Sequence, residues 1–208
     1  MRRFLLLAHR VPPDGNFTLN DLAGGAGRMD EVARAVSTAF TLSNDLRRDT
    51  EMTILFAAAP PPAARKIELV GARLRYLNPD ERSTAALLKN ALVRSTGFPR
   101  ELESSPGLRV APADPERELR EFVARPGAVW LTESGSPLRE HPFPGGDLAA
   151  VLSDPYDPTE GEQAILAGSG VPRRSVGPRS LRSSQVIDLV QNALDLAEAA
   201  HTGPEAGD

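Results

Sequence analysis

Short apolar runs alternate with helix-period patterns along most of this chain. That alternation restricts it to a sheet with helices packed on both faces, an α/β fold whose sheet is expected to be largely parallel. The apolar run over 4–8 reads as a buried strand, and 28–47 as a helix with Met29, Val32, Val36 and Phe40 on one face. Strands are expected over 52–57, 108–111, 128–132, 148–153 and 174–176. Residues 67–76 read as a hairpin turning at Gly71-Ala72, and 97–107 as a loop. Asn78 with Pro79 and Glu81 reads as a helix start, as does Asp114-Pro115. A further helix is expected over 159–166. The last helix is expected from Ser183 or Ser184, with a wide apolar stripe. Residues 1–201 are taken as one domain and 202–208 as a frayed tail.

Composition excludes several chemistries. The 208 residues include no cysteine, so disulfides, thiolate metal sites and cysteine nucleophiles are all out. The three histidines, His9, His141 and His201, are far apart in sequence, and no metal site is expected. Arg2 and Arg3 precede an apolar run, as in a signal peptide, but the run is too short for one and His9-Arg10 follows. No stretch approaches the roughly 20 apolar residues of a membrane span. A cytoplasmic protein without a membrane partner is expected. The net charge of −4 argues against indiscriminate nucleic-acid binding but permits a local basic groove.

In parallel sheets, ligands sit beyond the carboxyl ends of strands. The segment Ser175-Val176-Gly177-Pro178-Arg179-Ser180-Leu181 follows a short strand and turns twice before the last helix. Such a loop exposes backbone donors and acceptors to a small ligand, although most loops of this length merely connect. Gly27-Arg28-Met29-Asp30 places an arginine and a carboxylate two apart at a helix start, which helix capping alone could explain. No phosphate-binding P-loop and no nucleophile elbow is present.

Taken together, the segments resemble the archaeal tRNA pseudouridine methyltransferases of the SPOUT superfamily. The matching residues run in order: Arg3-Phe4 and His9, Leu22, Gly27-Arg28-Met29-Asp30, Ala39-Phe40, then Leu42-Ser43-Asn44-Asp45 and Leu46-Arg47-Arg48-Asp49. Asn78-Pro79-Asp80-Glu81-Arg82, Leu152-Ser153-Asp154, Ser175-Val176-Gly177-Pro178, Asn192 and Leu194-Asp195 complete the series. The resemblance implies S-adenosylmethionine as methyl donor, an RNA substrate (tRNA in the family), a homodimer, and a carboxy-terminal trefoil knot. It places the donor on Leu131, Ser153, Val176, Gly177, Pro178, Arg179, Ser180, Leu181 and Val186. Asp30 and Asp154 become candidates for handling the substrate proton, and Arg28, Arg47 and Arg48 for RNA contact.

The chain departs from the family pattern at several positions. The family's Asp-His is Asp154-Pro155 here, and its histidine-containing segment before the last helix is Arg182-Ser183-Ser184-Gln185. Its cysteine at the donor site is Val186, a Cys-Arg-Cys is Ala33-Arg34-Ala35, and a His-Asn pair is Gln191-Asn192. These changes leave two other readings open: a non-catalytic RNA-binding relative, and a methyltransferase with another substrate.

Overall fold

The structure, a computed structural model, describes residues 1–143 and 146–202, of which 201 and 202 by backbone alone. In chain order the elements are β1 (Arg2–Ala8), α1 (Met29–Phe40), β2 (Thr50–Phe56), β3 (Arg65–Val70), α2 (Glu81–Ser95), β4 (Leu102–Ser105) and β5 (Leu108–Pro112). There follow α3 (Pro115–Val123), β6 (Ala128–Pro137), β7 (Leu148–Ser153), α4 (Glu160–Gly168), β8 (Arg173–Ser175) and α5 (Ser183–Thr202).

All eight strands form one sheet in the order β4-β5-β3-β2-β1-β7-β6-β8. From β2 through β1, β7 and β6 to β8 the pairings are parallel. The other end, β2 to β3, β5 and β4, is antiparallel. The expected flanked sheet is therefore present, and its parallel part is the half that ends in α5.

β1 is central because both of its faces are apolar. Phe4, Leu6 and Ala8 pack beneath α1, α2 and α5, while Leu5 and Leu7 pack beneath α3 and α4. A strand buried on both faces reads as an unbroken apolar run, as residues 4–8 do.

Several local expectations are corrected. The first helix ends at Phe40, not at Arg47: Thr41 leaves the helix in extended conformation and bridges Leu46 across a tight turn. Within that turn the Leu42 N–H donates to the Asp45 carbonyl and the Leu46 N–H to the Asp45 carboxylate, a local competition with helix that Asn and Asp favour. No hairpin forms over 67–76. β3 pairs with β2 and β5 instead, and the chain after Gly71 coils, with the Leu74 N–H on the Val70 carbonyl. The cap of α2 is Asp80, whose carboxylate accepts the Ser83 N–H at 2.8 Å, and Pro79 lies outside the helix. Residues 97–107 include an edge strand, β4, that turns into β5. Of the expected tail, Thr202 closes α5 and residues 203–208 lie outside the described residues.

Candidate active site

β6, β7 and β8 end on one side of the sheet, and a cleft of about 630 Å³ opens beyond them. β6 and β8 pair at Trp130 and Leu131 and again at Ser136 and Pro137, with the register broken between. Residues 132–135 arch out over that break. Gly135 permits it: a Cβ there would lie 2.5 Å from the Arg174 carbonyl carbon.

Leu131 from β6, Leu152 and Ser153 from β7, and Val186 from the first turn of α5 line the cleft. So do Val176, Gly177, Arg179, Ser180 and Leu181 from the segment between β8 and α5. Pro178 belongs to the same segment but is not part of the wall. The segment is shaped locally: the Ser175 hydroxyl donates to the Gly177 carbonyl at 2.6 Å and accepts the Gly177 N–H at 3.1 Å. The Ser183 hydroxyl donates to the Ser153 carbonyl at 2.6 Å, which ties the start of α5 to the end of β7.

The residues present fit a nucleoside-type methyl donor. Leu131, Leu152, Val176, Leu181 and Val186 supply apolar wall, Glu133 and Asp157 supply carboxylates for a cationic ligand, and the volume lies within the range of small-molecule sites.

The opposite rim comes from the start of α1. Arg28 caps the helix in the left-handed conformation, with φ 71° and ψ 34°. Gly27 before it also has positive φ, and a Cβ there would lie 2.1 Å from the Arg10 carbonyl oxygen, so only glycine fits this close approach. The Arg28 guanidinium donates to both Asp30 oxygens, at 2.9 and 3.0 Å, and to Glu31 at 2.7 Å. Arg34 adds a 2.5 Å bond to Asp30 and reaches Glu81 at 2.6 Å. Arg28 and Glu31 line the cleft, and Asp30 stands behind Arg28. Burial raises the Asp30 carboxyl, but the hydrogen bonds and charges of Arg28 and Arg34 outweigh it and hold its pKa below the usual value.

Asp154 also lines the cleft, but its carboxylate is fully buried. It accepts the His9 N–H at 2.8 Å and the Tyr156 N–H at 3.2 Å, and it faces His9 Nδ1 at 2.8 Å. His9 Nε2 in turn lies 2.9 Å from Glu162. Burial disfavours the imidazolium, yet the two carboxylates more than offset that and push the His9 pKa up to about 9. At neutral pH both ring nitrogens therefore carry protons and donate.

Arg47 and Arg48 do not reach this cleft. They precede Thr50 at the amino end of β2, whereas the cleft lies beyond the carboxyl ends of strands parallel to it. Arg47 grips Asp195 of α5 through two bonds of 2.8 and 2.9 Å. Arg48 donates to the Gly71 and Leu74 carbonyls and to Asp45, and lines a separate cleft of about 870 Å³ with Arg73 and Arg75.

Sequence reasoning missed the pairing of His9 with Glu162, and it missed Glu31 and Arg182. The one readable signal was the spacing of Thr159 and Glu162, which marks a capping box and so fixes where Glu162 points.

A family model described as "Putative SAM-dependent RNA methyltransferase" matches residues 1–199. The tRNA (pseudouridine(54)-N(1))-methyltransferase of Methanosarcina mazei is 39% identical over 199 residues, 96% of this chain and 93% of that protein. The enzyme of the same name from Haloferax volcanii is 37% identical and covers 95% of this chain and 98% of its own. Among solved structures, Archaeoglobus fulgidus Nep1 bound to S-adenosylhomocysteine superposes with a TM-score of 0.61 at 14% identity, over 95% of this chain and 97% of that one. That likeness bears on the fold. The match over nearly the whole chain, at these identities, makes this protein a member of the S-adenosylmethionine-dependent RNA methyltransferase family that the model describes.

Proposed function

We propose that this chain transfers a methyl group from S-adenosylmethionine to N(1) of a pseudouridine in tRNA, at the position 54 that its relatives' names give. The observation that carries the reading is the cleft itself. It brings Leu131, Ser153, Val186 and the segment after β8 together, with Arg28 on the facing rim.

When bound, the donor supplies a methyl carbon activated by a sulfonium. The chain's own residues do the rest by positioning and charge. Arg28, already fixed by Asp30 and Glu31, offers a guanidinium to an RNA phosphate or to the ring as negative charge develops on it. As the ring nitrogen takes the methyl carbon, the carbon–sulfur bond breaks, S-adenosylhomocysteine leaves, and the N(1) proton passes to solvent water at the open cleft. Asp30, held anionic by two arginines, is a weak proton acceptor and acts mainly by orienting Arg28. Asp154 serves the cleft by fixing the end of β7 against His9 rather than by taking a proton.

The same reading includes a cytoplasmic homodimer and a trefoil knot over β6 to α5. In that reading residues 1–201 act as one domain, and the knot is tied where the parallel strands run in the order β7-β6-β8. Among the described residues no helix is long and apolar enough to cross a membrane.

The test has two parts. Titration calorimetry with S-adenosylhomocysteine should give one site per chain, with the fluorescence of Trp130 on the cleft wall changing in step. Methyl transfer should occur on a pseudouridine-containing tRNA and not on its uridine counterpart, which has no free N(1). Arg28→Ala should weaken RNA binding by about tenfold, the loss of one charge-assisted contact, and leave donor affinity unchanged. Equal methylation of both RNAs would refute the assigned atom.

A further inference from the structure

One carboxylate joins the two rims of the cleft. Glu31 is almost wholly buried, with a side chain 3% exposed. Its Oε1 accepts Arg28 at 2.7 Å and Arg34 at 3.0 Å. From the other side, Arg182, at the end of the segment that leads from β8 into α5, brings its Nε to 3.7 Å from the same oxygen. That distance makes an ion pair and is too long for a hydrogen bond. The other oxygen, Oε2, is buried and has no hydrogen-bond partner among the described residues.

An anionic oxygen in that state is unfavourable, because burial removes water without supplying a donor. The two arginines that reach Glu31 from the cleft differ in freedom. Arg28 is immobilised by a left-handed backbone, by the tight approach of Gly27 to Arg10, and by Asp30. The Arg182 side chain is 63% exposed, and its backbone N–H is anchored to Gln185, so the guanidinium can move while the chain stays in place. A planar guanidinium can bind both oxygens of a carboxylate at once. A shift of about 1 Å, enough to bring the 3.7 Å pair to normal hydrogen-bond length, would let Arg182 satisfy Glu31 fully.

We propose that Glu31 is a positioning residue that couples the two halves of the site. It fixes Arg28 for the RNA and takes up the Arg182 guanidinium when the methyl donor fills the cleft that both arginines line, so that each ligand strengthens binding of the other. The proposal rests on the donor and RNA sites assigned above. It adds a linkage between them, carried by Arg28, Glu31 and Arg182.

Linkage requires the effect to be reciprocal, so one direction suffices to measure it. The experiment is the Kd of a pseudouridine-containing T-arm hairpin, with and without saturating S-adenosylhomocysteine, for the full chain and for Glu31→Gln, Arg182→Gln and Arg182→Lys. For the unaltered protein the bound product should tighten RNA by about tenfold, within the usual range of such couplings. Glu31→Gln and Arg182→Gln should bring that ratio close to one, and Arg182→Lys should keep part of it. A merely structural role for Glu31 would lower stability and leave the ratio intact. Because Arg182 is exposed, its variants keep the test alive even where Glu31→Gln does not fold. An unaltered protein that binds S-adenosylhomocysteine without any change in RNA affinity overturns the proposal, and so does full coupling in Arg182→Gln. Failure of the unaltered, folded protein to bind S-adenosylhomocysteine at all overturns the donor-site reading beneath it.

Discussion

His9 shows how a single residue can carry both the end of a strand and a large part of the local electrostatics. It follows the last residue of β1, and its ring spans Asp154 after β7 and Glu162 in the first turn of α4. Its pKa rises from 6.5 to about 9, so its contribution to folding is fully present below pH 6.5 and is lost as pH climbs through 9. At about 1.4 kcal/mol per unit, that rise corresponds to about 3 kcal/mol. Glu162 behaves in the opposite sense. Burial raises it, but His9 and Thr159 outweigh that and hold it below its usual 4.5, so its share is lost on acidification. His9→Gln should therefore lower stability by about 3 kcal/mol near pH 6, and the gap to the unaltered protein should narrow above pH 9. Urea unfolding at a series of pH values checks this. A gap independent of pH would mean that the ring is held by packing rather than by its charge.

At the scale of elements, the helix starts separate local from long-range information. Asp114-Pro115 and Thr159 were readable because a cap and its partner lie within four residues, and both helices begin there. β7 was readable to the residue because its first five residues are apolar and buried. β4 was not, since three of its four residues are polar and none is buried at the sheet edge, where no alternation is required. The direction of β3 and β5 was hidden for another reason: local pattern says that a strand exists, not which neighbour it pairs with. Within the candidate site, the segment after β8 was legible as a turning loop beyond a strand end, and it lines the cleft. The network of His9, Asp154 and Glu162 was not, because its members are separated by 145 and 153 residues.

The two caps also allow a direct comparison. Asp80 is an exposed cap that serves only α2. Thr159 shares the Glu162 carboxylate with His9, since its N–H donates to the same oxygen at 2.7 Å and its hydroxyl at 3.0 Å. Asp80→Ala should destabilise α2 by loss of its cap, and Thr159→Ala should cost about 1 kcal/mol. Only Thr159→Ala should also shift the pH dependence described for His9, and thermal unfolding at pH 6 and pH 9 distinguishes the two. An identical pH response in both variants would show that α4 and the histidine are uncoupled.

At the scale of the whole molecule, the outward face of α5 carries exposed apolar surface. Within the wide apolar stripe of this helix, Leu194 is 1% exposed and packs in the core with Ile187 and Val190. The exposed apolar residues are instead Leu189, 43% exposed, and Leu196, 64% exposed, seven positions apart and therefore on one face of the helix. Val186, one turn before Leu189, lies on the cleft beyond β6, β7 and β8. A second copy seated on this face would cover both leucines and lie directly beside the cleft. The chain has a net charge of −4, so RNA cannot be held by overall attraction and depends on arginines gathered at the site. Two clefts brought side by side would double that local concentration of arginine. Light scattering after size exclusion should give a dimer for the unaltered chain and a monomer for Leu189→Asp combined with Leu196→Asp. Both side chains are exposed, so circular dichroism and the unfolding midpoint should change little while RNA affinity falls. A monomeric unaltered chain, or a double variant that remains dimeric, would place the interface elsewhere or remove it, and the two leucines would then be ordinary surface residues.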